Sequence, residues 1–280
     1  MKRFTFPTFL ACVSLLFSCG DRNAFSSLEH PTPAEKAAAY LEQENPDAAI
    51  DTVLHTLGDT YQTLYAVTTK GTNNEEQLHA EMLMLIAADS IDGVPNLVSL
   101  LASAQAQKFS VDPFAMVLRL AKSQTSTALV DATFVSLGAF TQLYPILPKA
   151  TASTIKGLQA AVFILQSLGS VYLSKADHLK LGLFLTASLV LELKLIDANE
   201  DGTISIEEAL DLSEESATTF VTTLEAAVSS ILLADLSTSK ASAASAKITT
   251  LQTTLQNQAG TSNAEKLQNF FIQTQSKSAD

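Results

Sequence analysis

The chain has 280 residues, with 17 Lys and Arg against 29 Asp and Glu, giving a formal net charge of −12. A surface this acidic repels phosphate backbones and offers nothing to anionic lipid, which argues against electrostatic binding to nucleic acid or to a membrane face. Hydrophobic residues make up 47% of the chain and glycine only ten positions; with abundant Ala and Leu, this favours helices over a β-sandwich, and the length admits one large helical domain or two small ones.

Met1-Lys2-Arg3 is a short basic start, and Phe4 to Phe17 is mostly apolar. This is the n-region and h-region pattern of a signal peptide, too short for a transmembrane span. The run ends in Leu16-Phe17-Ser18-Cys19. That tetrapeptide resembles the lipobox of bacterial lipoproteins, with Leu at −3, a small residue at −1 and Cys at +1. The resemblance implies a signal peptide over 1–18, cleavage before Cys19, lipidation of Cys19 and attachment to a membrane through its acyl chains. Two or three such chains suffice for a stable anchor. Cys12 and Cys19 are the only cysteines, so an exported chain could build no disulfide framework. Loss of Lys2 and Arg3 leaves 15 basic residues and a net charge of about −14. Gly20 rather than Asp follows Cys19; by analogy with enterobacterial sorting this implies the outer membrane, facing the periplasm or the cell surface. Residues 19–33 carry the lipidated Cys and a flexible tether with Pro31 and Pro33, reaching on the order of 20 Å as a coil.

Residues 34–280 read as a single helical domain. Thr32-Pro33-Ala34-Glu35 is a capping box with Pro at the first helical position, opening a helix to about Glu44. Asn45-Pro46 caps the next, near 46–57. Tyr40, Ala49 and Val53 in this hairpin fall at the spacing of three tetratricopeptide signature positions. The hairpin is similar to that repeat over about 25 residues, but nothing similar recurs 34 residues later, so it implies no array. Further helices are expected at 59–70, 75–89, 94–108 and 113–123, separated by Gly71-Thr72-Asn73-Asn74, Asp92-Gly93 and Asp112-Pro113. Two long apolar helices follow at 126–144 and 151–173, divided by Pro145 and Pro148. Ser174 caps a helix running to Ile196; Leu191 to Leu195 alternates as a strand would, but its length and context favour helix. Neither 158–173 nor 179–196 gives eighteen clean apolar residues, so both read as helices inside a bundle. Ser213-Glu214-Glu215 opens a helix to about Asp235; 238–258 is Ser, Thr and Ala-rich with one apolar face, and a last helix spans about 262–275. The expected fold is all-α, a multi-helix bundle or irregular α-solenoid.

Residues 197–208 read Asp-Ala-Asn-Glu-Asp-Gly-Thr-Ile-Ser-Ile-Glu-Glu. Oxygen donors stand at positions 1, 3, 5, 7, 9 and 12: Asp197, Asn199, Asp201, the Thr203 carbonyl, Ser205 and Glu208. Gly202 at position 6 takes the sharp turn, and Ile204 is the apolar residue pointing back into the core. The stretch resembles an EF-hand calcium loop at every ligand position. The resemblance implies Ca2+ held by those six residues, with Glu208 closing the shell through both carboxylate oxygens, and an empty loop that is locally loose. No second loop is found; Asp89 to Gly93 lacks the third-position ligand and the closing acid. A lone loop reads as a structural clip more readily than as a sensor.

Signals for catalysis are missing. His30, His55, His79 and His178 fall in no metal-ligand spacing, and there is no G-x-S-x-G elbow, Walker loop or G-x-G-x-x-G. The expectation is therefore a non-enzymatic, calcium-binding lipoprotein of the bacterial cell envelope, a helical interaction scaffold for an unnamed protein partner. A periplasmic solute-binding or transport-accessory lipoprotein is the alternative, and an enzyme whose residues meet only in the fold is a third.

Overall fold

Several helix starts among the described residues are set by short polar side chains. The computed structural model describes residues 31–112, 116, 144–200, 204–234 and 257–278. Thr32 accepts from the Glu35 amide while Glu35 reaches back to the Thr32 amide, which opens α1 (Pro33–Glu42). Asn45 accepts from Ala48 to open α2 (Pro46–Leu57). These are the orphan N–H groups that every helix start must satisfy. Helices α3 (Asp59–Thr68), α4 (Glu75–Ala87) and α5 (Val94–Lys108) follow close to their expected bounds. Met116 is helical; the rest of the helix expected at 113–123, nearly all of 126–144 and almost all of 238–258 lie outside the described residues.

The apolar stretch 151–173 is not one helix. It forms α6 (Ala152–Gln166) and a single turn, α7 (Gly169–Tyr172), behind a short 3-10 turn at Tyr144–Ile146. The break coincides with a tertiary contact. His79 donates through Nδ1 to the Ser167 carbonyl (2.5 Å), drawing that oxygen out of the helical ladder. Gly169 then adopts a left-handed backbone (φ 63), where an added Cβ would stand 3.0 Å from the imidazole.

Ser174 and Asp177 form a capping box for α8 (Lys175–Ile196), so the Leu191–Leu195 alternation is helical. Beyond the loop come α9 (Ile206–Leu210), α10 (Glu214–Leu233) and α11 (Asn263–Ser278). Among the described residues every regular element is a helix. The fold is an all-α multi-helix bundle.

One apolar core extends from Ala37 to Leu267. Helix α5 packs on α1, α2 and α6; α6 on α8; and α8 along α10, which carries α11. Helix α8 is apolar nearly all round, as a bundle's central helix must be, with 14 of its 22 residues buried. Buried polar groups are tied between helices: the Tyr65 hydroxyl donates to Gln105 (2.6 Å), which donates to the Gly157 carbonyl (3.2 Å), joining α3, α5 and α6. Helix α10 is long and apolar enough to cross a bilayer by length and composition; in this fold it lies along α8, and Glu214 at its start accepts from the amides of Asn263 and Ala264 opening α11.

Candidate metal centre

The loop begins where α8 stops. Leu193, one turn before the end, is buried and holds the exit of the helix against the core. Asp197 leaves helical geometry (φ −68, ψ 82) while its amide still donates to the Leu193 carbonyl (2.9 Å). It is only 1% exposed, an uncommon place for an aspartate. Glu200 takes a left-handed backbone (φ 57), and its amide donates back to the Asp197 carbonyl (3.3 Å), so the chain turns sharply over four residues. At the far side Ile204 is 1% exposed and returns the chain to the core, as position 8 requires.

Ser205 caps α9, accepting from the Glu208 amide, and Glu208 Oε2 accepts from the Ser205 amide (2.8 Å). The other oxygen, Glu208 Oε1, accepts from the Ala198 amide (2.8 Å). One carboxylate therefore joins the start of α9 to the residue that follows Asp197. The Ser205 amide, ahead of the opposing effect of desolvation, holds this carboxyl below the usual glutamate range; the Ser205 hydroxyl and the Ala198 and Asn199 amides act the same way. Glu208 is thus held as an anion by donors from both ends of the loop.

The structure places four of the six expected ligands: Asp197, Asn199, Ser205 and Glu208. Asp201 and Thr203, with Gly202, lie outside the described residues. It brings Glu208 across to the backbone beside Asp197 and Asn199, and it buries Asp197. Among the described residues no group of three or more His, Cys, Asp or Glu side chains is gathered to hold a metal. At the expected ligand positions the described residues supply two carboxylates, Asp197 and Glu208, besides the Asn199 amide and the Ser205 hydroxyl. This all-oxygen donor set, without imidazole or thiolate, suits a hard cation such as calcium rather than zinc or copper.

The outgoing helix is shorter than an amphipathic EF-hand partner would be. Helix α9 ends at Leu210, and the chain restarts at Ser213, whose hydroxyl caps α10. The long helix that follows the loop packs along α8 nonetheless.

Two lysines border the loop. Lys149 donates to Glu200 Oε1. Lys194, in the last turn of α8, donates to the carbonyls of Leu147 (2.7 Å) and Pro148 (3.1 Å) and lies 4.3 Å from the centroid of the Tyr144 ring. Burial pushes the Lys194 ammonium's pKa down, against the opposing fields of Glu200 and Asp197.

Elsewhere the fold assembles a polar cluster that sequence reading missed. Ser99 donates to Asp177 (2.5 Å) and accepts from Lys180 (2.8 Å), while Asp177 also accepts from Ser174 (2.6 Å). Ser99 is 3% exposed, and its hydroxyl proton is committed to the carboxylate. The cluster ties α5 to α8 and offers no accessible nucleophile. His55 is exposed and His79 serves the α6 break, as helix-surface and bonded side chains respectively. His30 and Cys19 lie outside the described residues. Comparison with protein-family models, curated proteins and solved structures finds no match to this chain.

Proposed function

We propose that this chain is a non-enzymatic, calcium-binding lipoprotein of the bacterial cell envelope. It is a helical interaction scaffold hung from the membrane by an acylated Cys19, on the outer membrane facing the periplasm or cell surface. Calcium serves as a structural clip, held by Asp197, Asn199, Asp201, the Thr203 carbonyl, Ser205 and Glu208.

One observation carries the calcium reading. Glu208, the position-12 acid, spans from the cap of α9 to the amide after Asp197, so its ionised carboxylate already closes the loop end to end. When bound, the ion would supply a point charge that gathers the loop carboxylates and fastens the end of α8 to the start of α9. The chain's own residues do the rest: Leu193 and Ile204 anchor the two ends of the loop in the core, and the amides of Ala198 and Ser205 orient the closing acid.

Thermal unfolding of the full-length protein in detergent tests the reading. Calcium at about 100 times its Kd adds about 2.7 kcal/mol, an upward shift of about 5–10 °C for a chain of this size. The shift vanishes in Asp197→Asn and Glu208→Gln. A melting temperature indifferent to millimolar calcium removes the clip. For the anchor, radioactive palmitate labels the wild type and not Cys19→Ser; equal labelling refutes lipidation.

A further inference from the structure

The twelve-residue loop carries five carboxylates: Asp197, Glu200, Asp201, Glu207 and Glu208. Two ammonium groups from outside the ligand set stand in their field. Lys149 comes from 51 positions away to reach Glu200 at 2.5 Å, with both side chains largely in water (74% and 58% exposed). Lys194 sits half-buried one turn below Asp197, held by the Leu147 and Pro148 carbonyls and the Tyr144 ring. Glu200 is not at a ligand position, so its pairing with Lys149 leaves the ligand set free. A positive charge beside an anionic loop offsets the repulsion among its carboxylates when no cation is there, and repels a cation that enters.

We propose that Lys149 and Lys194 are built-in counter-cations of the loop, which set its affinity for a divalent cation lower than its oxygen ligands alone would give. The inference rests on the calcium reading above. It also gives the Tyr144–Lys149 segment a role, since Lys149 fastens that segment to the loop and Lys194 fastens it to the end of α8.

Equilibrium dialysis of radiolabelled calcium against the full-length protein in detergent at low ionic strength tests it. Lys149 is exposed, so its variants keep the fold. Lys149→Gln tightens binding about twofold and Lys149→Glu about three- to fivefold, Lys149→Arg matches the wild type, and the gains fade as salt is raised. The opposite sign would mean that the pair serves to hold Glu200 in its left-handed backbone. Unchanged or weaker binding in the Gln and Glu variants, with the wild type still taking up calcium, overturns the counter-cation role and leaves the calcium reading standing. A wild type that retains no more calcium than Asp197→Asn overturns both.

Discussion

Two acidic side chains on α8 respond to burial in opposite ways. Glu192 is half-buried, and desolvation alone pushes its carboxyl up to about 7. Asp177 also loses solvent, but the Lys180 ammonium, the Ser174 and Ser99 hydroxyls and the Ser174 amide outweigh that loss and hold it below the usual aspartate range. The signs give different pH windows. A carboxyl raised in the fold binds its proton more tightly there than in the unfolded chain, so Glu192 withdraws stability as pH climbs from about 4.5 to 7. A depressed carboxyl does the reverse: the contribution of Asp177 is full above about pH 4 and is lost as pH falls through its folded value. Melting temperature against pH should therefore peak on the acid side of neutrality. Glu192→Gln should flatten the neutral limb and add on the order of 1–3 kcal/mol at pH 8. Asp177→Asn should flatten the acid limb, at a cost in overall stability from the weakened tie to Ser99 and Lys180. A profile unchanged by Glu192→Gln would mean that water reaches that carboxylate in the folded state.

At the scale of elements, the contact between α8 and α10 depends on a residue with no side chain. A Cβ on Gly182 would stand 2.4 Å from Ile231 Cγ1 and 3.0 Å from the Ala227 carbonyl oxygen. Alanine gains about 1 kcal/mol of helix propensity but forces the helices apart. Gly182→Ala should lose about 1–2 kcal/mol net in chemical denaturation, and Gly157→Ala, which meets the Phe109 ring at 2.2 Å, at least as much. A gain in stability for Gly182→Ala would show that the two helices can separate without loss. Sequence made such helices legible where a cap marked the start: Thr32, Asn45, Ser174 and Ser213 each stand one residue before an observed helix. It missed the break after Gln166 because the apolar spacing continues through Leu168 and Val171, and the partner that pulls the backbone aside, His79, is 88 residues away. The loop's resemblance to an EF-hand was legible because the expected donors are contiguous; the structure buries Ile204 as expected, and it makes Ser205 the cap of α9, a role sequence reading did not assign. Lys149 and the Ser99–Asp177 pair were not readable, since opposite charges and hydroxyls separated by 51 and 78 residues leave no local pattern.

At the scale of the whole molecule, α8 joins the two ends of the bundle. Near its start Asp177 and Lys180 bind Ser99 of α5; near its end Lys194 holds the Leu147–Pro148 stretch; along its length it packs on α6 and α10. The full chain has an acidic surplus of 12 charges, and self-repulsion should make the protein more heat-stable as monovalent salt rises, apart from any specific ion. Because α8 and α10 lie against each other, the chain ends flanking the 197–208 loop are brought near by folding itself. The configurational entropy of ring closure is therefore spent before any ion arrives. If the loop takes calcium as proposed, the ion orders a handful of residues between helices already packed together, so calorimetry over a range of temperatures should find a binding enthalpy that scarcely varies with heat, unlike that of a hand that swings open.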